Sequence, residues 1–364
     1  MDHTTDKPGV AATPLAAGAA AEAAPPAVGG DGPALWAKDL VKRYRRGVLA
    51  VDQASFEVPR GEIFGFLGPN GAGKSTTILM LITLLRPTAG QARVCGYDVA
   101  RRADAVRRSV GYVSQDIAVD DTLTGRQNVY LQGRFYHLPP RVIAARSAEV
   151  LAMVDLADRA DDLVSTYSGG MRKRLDIAEG LIHRPAVLFL DEPTLGLDIQ
   201  TRRRIWEYIE RLRREQGITI FLTTHYMDEA DALCDRVAII DHGRIVAIGA
   251  TGELKRTVGG DLVTLKLRGP DGRPVTPDVA DLPGVEHAYE PRDGALSFVV
   301  KDGERDVPRI LATLGERGLV CDSLAMKRPS LDDVFLHFTG RELRQDEGGG
   351  SFWRTSMAVR RARR

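Results

Sequence analysis

The sequence predicts an α/β protein built on a mostly parallel sheet, with a helical insertion in its core and a smaller α+β region behind it. Three observations carry this. Short apolar runs, "IFGFLG" from Ile63, "AVLFLDE" from Ala186 and "ITIFLTTH" from Ile218, end at polar or glycine residues, as buried strands do. Helical stretches lie between them. In the one from Thr201 to Gln216, Ile205, Ile209 and Leu212 share a face and Gly217 is placed to end the helix. The segment from about Ile117 to Arg184 keeps a helical period with few strand runs, so it reads as an insertion into the α/β core.

Taken in order, residues 1 to 33 are rich in Ala, Gly and Pro without apolar periodicity, which predicts a disordered tail. The α/β rhythm starts at Trp36, and the core domain is placed at 34–250, with the helical subdomain at about 117–184. Within it "RVAIIDHGRIVAIG" from Arg236 reads as a hairpin turning at Asp241-His242-Gly243. Residues 251–342 read as a small α+β domain, with strands near Leu262, Leu296 and Leu319 and helices near Val307 and Leu331. Residues 343–364 form a basic tail whose last fifteen residues carry five Arg and no acid. A solvated tail is one reading of it, contact with anionic lipid the other. No internal repeat is visible.

The totals narrow the function. With 43% apolar and 27% charged residues the chain has ordinary globular composition, and its 364 residues can bury a sizeable core. A net charge of +1 makes no electrostatic case for nucleic acid. Cys95, Cys234 and Cys321 lie far apart and form no CxxC pair, which suits a reducing compartment. The apolar run "ILMLITLL" from Ile78 is too short to cross a bilayer, and no cleavable signal is expected at the N-terminus.

"GPNGAGKST", comprising Gly68, Pro69, Asn70, Gly71, Ala72, Gly73, Lys74, Ser75 and Thr76, fits G-x-x-x-x-G-K-[ST] between a strand and a helix. Its glycines let successive backbone N–H groups point at phosphates, and the helix N-terminus favours negative charge. Lys74 is suited to reach the β- and γ-phosphates, and the Ser75 hydroxyl to ligate Mg²⁺. The strand "AVLFLDEPT" then delivers Asp191 and Glu192. Neighbouring strand residues face opposite ways, so the two are expected to do different jobs. Asp191 suits Mg²⁺, and Glu192 suits polarising a water.

A second anion device follows a different logic. Ser168-Gly169-Gly170 precedes the helical run "MRKRLDIAEGLIHRP", offering free N–H groups, a hydroxyl and no obstructing side chain. Arg172, Lys173 and Arg174 either strengthen the field there or form a solvated basic face. This helix belongs to the insertion, away from the strand edge that carries Gly68 to Thr76. If the device faces outward, it serves the nucleotide of a second copy, and the two chains form a head-to-tail pair enclosing two nucleotides.

Over about Trp36 to Gly249 the chain resembles an ATP-binding cassette (ABC) transporter ATPase, with the motifs in the expected order. The resemblance implies a P-loop NTPase (RecA-like) core that binds and hydrolyses ATP with Mg²⁺. It implies that Tyr44 in "LVKRYRRG" stacks on adenine and that Gln115 in "GYVSQD" reaches Mg²⁺ and links to the transmembrane partner. "YSGGM" matches the signature, Asp198 in "LGLD" the dimer-contact loop, and His225 in "TTHYMDEAD" the histidine that holds the γ-phosphate. Tyr167 and Met171 depart from the usual Leu and Gln of the signature. The run "RLDIAEGLIHRPAVLFLDEPTLGLD" and the C-terminal "RPSLDDVFLHFTGREL" resemble the daunorubicin-resistance type of exporter ATPase. That type implies a separate ABC-2-type permease, peripheral attachment at the cytoplasmic face of the membrane through it, and efflux of a hydrophobic drug, antibiotic or metabolite. Lipid or polysaccharide export, import, and a soluble non-transport ATPase are the alternatives.

Overall fold

The computed structural model describes residues 32–339, except 46, 280, 281, 283, 290, 292 and 293. The basic tail and nearly all of the N-terminal tail expected from the sequence lie outside the described residues.

β1 (Leu35–Arg43) and β2 (Leu49–Val58) open the fold as an antiparallel pair. β3 (Ile63–Leu67) runs into α1 (Lys74–Leu81), and the chain returns through β4 (Ala89–Val94) and β5 (Tyr97–Asp98). The result is a separate four-stranded antiparallel sheet of order β2-β1-β4-β5, which the α/β rhythm expected from Trp36 does not distinguish from the main sheet. The signal was period two: Ala54, Phe56 and Val58 of β2 are buried, while Gln53, Ser55 and Glu57 are exposed. That is the pattern of a sheet covered on one face.

α2 (Ala103–Ser109) leads into β6 (Val110–Val113), after which the insertion departs. It comprises α3 (Gly125–Phe135), α4 (Pro140–Met153) and α5 (Gly169–Leu181). Thr124 and Gln127 close a capping box on α3, and Pro140 occupies the first turn of α4. The chain re-enters the core at β7 (Val187–Asp191) and continues through α6 (Ile199–Gln216), β8 (Thr219–Thr224), α7 (Met227–Leu233), β9 (Arg236–Asp241) and β10 (Arg244–Ala250). The second sheet has the order β10-β9-β3-β8-β7-β6, parallel throughout except for the β9–β10 hairpin. Every residue of β3, β7 and β8 is buried, as expected for strands covered on both faces. Phe56 of the antiparallel sheet packs on Phe64, Phe66 and Phe221 at centroid distances of 5.5–6.0 Å, joining the two sheets.

The remainder comprises α8 (Thr251–Val258), β11 (Asp261–Arg268), β12 (Pro274–Val275), β13 (Val285–Ala288), β14 (Leu296–Val300), α9 (Gly303–Glu316), β15 (Val320–Lys327) and α10 (Leu331–Thr339). Its sheet has a small core of its own, centred on Val263, Leu265, Phe298, Val300, Ile310 and Leu314. The two flanking helices belong elsewhere. Leu254 and Val258 of α8 and Leu331, Val334 and Phe335 of α10 are buried in the main core with Met227, Leu233 and Val237. The chain therefore leaves the main core after α8 and returns to it with α10.

Candidate active site

β3 ends at Leu67 and α1 begins at Lys74, so the loop between them is held at both ends by buried elements. Gly73 has φ 106, and a Cβ there would stand 2.3 Å from the Ala50 carbonyl oxygen. Only glycine fits. The carbonyls of Gly68 and Pro69 accept from Lys74 Nζ at 2.8 and 3.2 Å, and the Ala72 carbonyl accepts from the Gly243 N–H at 3.0 Å. These three residues shape the loop. Asn70, Gly71, Gly73, Lys74, Ser75 and Thr76 line an open cleft of about 270 Å³, together with Ala50, Gln115 and Glu192. At its margin the Tyr44 ring is exposed, with its hydroxyl 3.4 Å from Thr76 Oγ1.

The acids converge on the same loop. The Ser75 hydroxyl donates to Asp191 Oδ1 at 3.1 Å. Glu192 is just past the strand and has φ 47, a left-handed conformation uncommon outside glycine. This turn overrides the strand alternation that would have sent it to the far face. Its Oε1 lies 3.0 Å from Lys74 Nζ and its Oε2 3.0 Å from His225 Nδ1. Burial pushes the Glu192 carboxyl up, but the His225 hydrogen bond and the Lys74 charge outweigh it and hold the group below the usual carboxylate range.

No local feature of the sequence marks Thr223. β7 and β8 are in parallel register with Asp191 opposite Thr223. The Thr223 hydroxyl donates to Asp191 Oδ1 at 2.5 Å and accepts from the Glu192 N–H at 3.1 Å. One hydroxyl thus aims both acids. A Thr in "LTTH" is ordinary for a strand, and only strand pairing distinguishes it.

The second anion device is elsewhere. Ser168 caps α5, accepting from the Met171 N–H at 3.3 Å. Ser168 and Gly169 are exposed and Gly170 is half-buried, and none of the three lines the cleft. Asp198, also outside the cleft, caps α6 and accepts from the Thr201 N–H and hydroxyl at 3.0 and 2.7 Å. Those two bonds hold its carboxyl below the usual range. A Cβ on Gly170 would meet the Thr201 methyl at 2.5 Å, so the start of α5 and the start of α6 form one packed unit. Tyr167 is buried, and its hydroxyl donates to the Arg159 carbonyl at 2.5 Å. Met171 packs on the main core.

The basic run after Ser168 is neither a solvated face nor a free positive field. Arg172 donates to the Ser165 carbonyl and pairs with Asp121. Arg174 donates to the Val154 carbonyl and the Tyr208 hydroxyl. Lys173 is buried against Ser114 and Asp176. Their positions on α5 turn them toward partners in the insertion and in the core beside it, a consequence of packing that composition does not register.

As a donor set, the Ser75 hydroxyl, Gln115 and Asp191 offer oxygen ligands of the kind a hard divalent cation takes. The buried Lys74 and the glycine cradle fit a polyphosphate.

Comparison with known proteins agrees with this geometry. The ABC transporter family pattern matches residues 51–195, and that of the ATP-binding protein DrrA1-3-like C-terminal domain matches residues 249–339. The chain is 44% identical to the daunorubicin resistance ATP-binding protein DrrA3 of Streptomyces coeruleorubidus, over 82% of this chain and 93% of that protein. It is 45% identical to the daunorubicin/doxorubicin resistance ATP-binding protein DrrA of Streptomyces peucetius, over 83% and 91%. Among solved structures, a dimeric ATP-binding cassette in a post-hydrolysis state bound to ADP and Pi superposes with a TM-score of 0.54 at 26% identity, covering 59% of this chain and 98% of that one.

Proposed function

The chain belongs to the ABC transporter ATP-binding family, an ATP-binding and ATP-hydrolysing subunit with a P-loop NTPase fold, and from that premise we propose that two copies close head to tail over two ATP molecules to drive efflux of a hydrophobic drug, antibiotic or related metabolite through a separate ABC-2-type permease. One observation carries the dimer. Lys74, Ser75, Gln115 and Glu192 line the cleft and His225 touches Glu192, while Ser168, Gly169 and Asp198 stand exposed outside it. Exposed Leu195 and Ile199 flank Asp198. Each copy holds a triphosphate on one face and offers the missing wall on another.

In this reading Tyr44 stacks on adenine, and the backbone from Gly68 to Thr76 cradles the phosphates. Lys74 is shared, because phosphate oxygens compete with Glu192 for its ammonium. Mg²⁺, held by Ser75, Gln115 and Asp191, would neutralise charge on the phosphates. Glu192, ionised and fixed by His225, draws the proton from a water, and His225 orients the γ-phosphate. Ser168, Gly169 and Gly170 of the second copy give their hydroxyl and N–H groups to the same γ-phosphate, and Asp198 lines the contact between copies. Drug efflux rests on the names of the two relatives and on the match at 249–339. Among the described residues no helix is long and apolar enough to cross a membrane, which is consistent with peripheral attachment at the cytoplasmic face through the permease.

The test mixes a Lys74→Ala chain with a Ser168→Arg chain. Each homodimer has both sites damaged, whereas the heterodimer has both defects in one site and leaves the other intact. ATPase activity in the mixture above the sum of the separate variants supports the composite site. No gain over that sum contradicts it.

A further inference from the structure

We infer that Lys173 and Asp176 on α5 are positioning residues that clamp the loop carrying Gln115, Lys173 by holding its backbone and Asp176 by holding Lys173, and so tie the nucleotide cleft to the helix beginning at Ser168. The inference rests on the proposed role of Gln115 and adds two residues that no motif assigns. Lys173 Nζ donates to the Ser114 carbonyl at 2.7 Å and to Asp176 Oδ2 at 3.4 Å. The loop also braces itself, with Ser114 Oγ donating to the Asp116 carbonyl at 2.6 Å. The backbone immediately before Gln115 is therefore gripped by Lys173, and Asp176 from the same helical turn holds that ammonium in place. That turn follows directly from Ser168, the cap of the same helix.

Energetics argue against a purely stabilising role. The two side chains are 3% and 7% exposed, and each buried ion carries a large desolvation cost. Two apolar residues of similar volume would fill the space at least as well. They would leave the Ser114 carbonyl without this partner. What the ion pair supplies is direction: an ammonium aimed at one backbone group and a carboxylate that holds it there. The same ammonium lies within electrostatic reach of Asp191, which receives the Ser75 hydrogen bond. The clamp therefore sits between the strand end at Asp191 and the signature helix.

The test is a mutant cycle in the full-length chain, reading kcat and KM for ATP separately. Lys173→Met keeps the volume and removes the donor. It is expected to lower kcat about 10-fold, the loss of one charge-assisted hydrogen bond, with KM for ATP within about 2-fold, because Lys74 and the cradle are untouched. Lys173→Arg, which restores a cationic donor, should recover most of the rate. The decisive comparison is with Gln115→Ala. If Lys173 acts through Gln115, the Lys173→Met/Gln115→Ala double variant loses no more than Gln115→Ala alone. Multiplicative losses overturn the inference, as does a raised KM with unchanged kcat. Asp176→Asn gives the same cycle with smaller structural change if Lys173→Met fails to fold. A full rate in Gln115→Ala overturns the clamp and the role of Gln115 together. Hydrolysis abolished by Glu192→Gln would in that event leave the ATPase reading standing.

Discussion

At the scale of single residues, the site depends on how Glu192 is held. Its ordinary job at the end of a buried strand would be to cap the next element. Here a left-handed turn, the Thr223 hydroxyl and contacts with Lys74 and His225 make it an ionised group in a phosphate-binding cleft. Glu192→Gln keeps the shape and removes the base. It should retain ATP binding while phosphate release slows by about 10²–10⁴-fold. A rate equal to the parent chain would remove Glu192 from that role. Lys74→Ala should instead abolish nucleotide binding, measurable with a fluorescent ATP analogue. The two outcomes separate chemistry from capture. The glycine loop and the acid pair were legible because their spacing is local. Thr223 was not, because its partners stand 31 and 32 positions away in the chain and meet it only through strand register.

At the scale of elements, α5 is the informative helix. It carries Ser168 at its cap, Lys173 and Asp176 on the buried side, and Glu179 one turn further. Burial pushes the Glu179 carboxyl up to about 8, with Asp176 adding to the rise. The sign follows. The folded chain holds that proton up to about pH 8, while the unfolded chain releases it near 4.5. Stability contributed by the neutral form is full below about 4.5 and is lost as pH rises toward 8, by up to about 1.4 kcal/mol per pH unit. Glu179→Gln should therefore flatten the fall in Tm between pH 6 and about 8 relative to the parent chain. Parallel pH–Tm curves for the two chains would contradict the assignment. The sequence predicts α5 as a helix whose basic run either strengthens the anion field or faces solvent, and neither is what the structure shows. Which face of a charged helix is buried depends on what packs against it, and α3, α4 and β6 are assembled from other parts of the chain.

At the scale of the whole molecule, α8 and α10 bind the small C-terminal sheet to the ATPase core. Phe335 is 1% exposed and sits in the main core. Phe335→Ala should cost about 3–5 kcal/mol and shift the unfolding of the ATPase core itself, followed by urea titration with fluorescence detection. A core transition that stays in place while only a separate, smaller transition moves would show that the two parts fold independently. By itself the sequence determined the parallel sheet, the helical insertion, the phosphate loop, the acid pair and the presence of the signature. Each is encoded in residues close together in the chain, where periodicity and turn chemistry act directly. Only the tertiary structure decided the antiparallel sheet, the shared hydroxyl of Thr223, the burial of Lys173 and the return of α10 to the core. Those depend on which distant segments meet, and that choice is made by the burial of the whole chain at once.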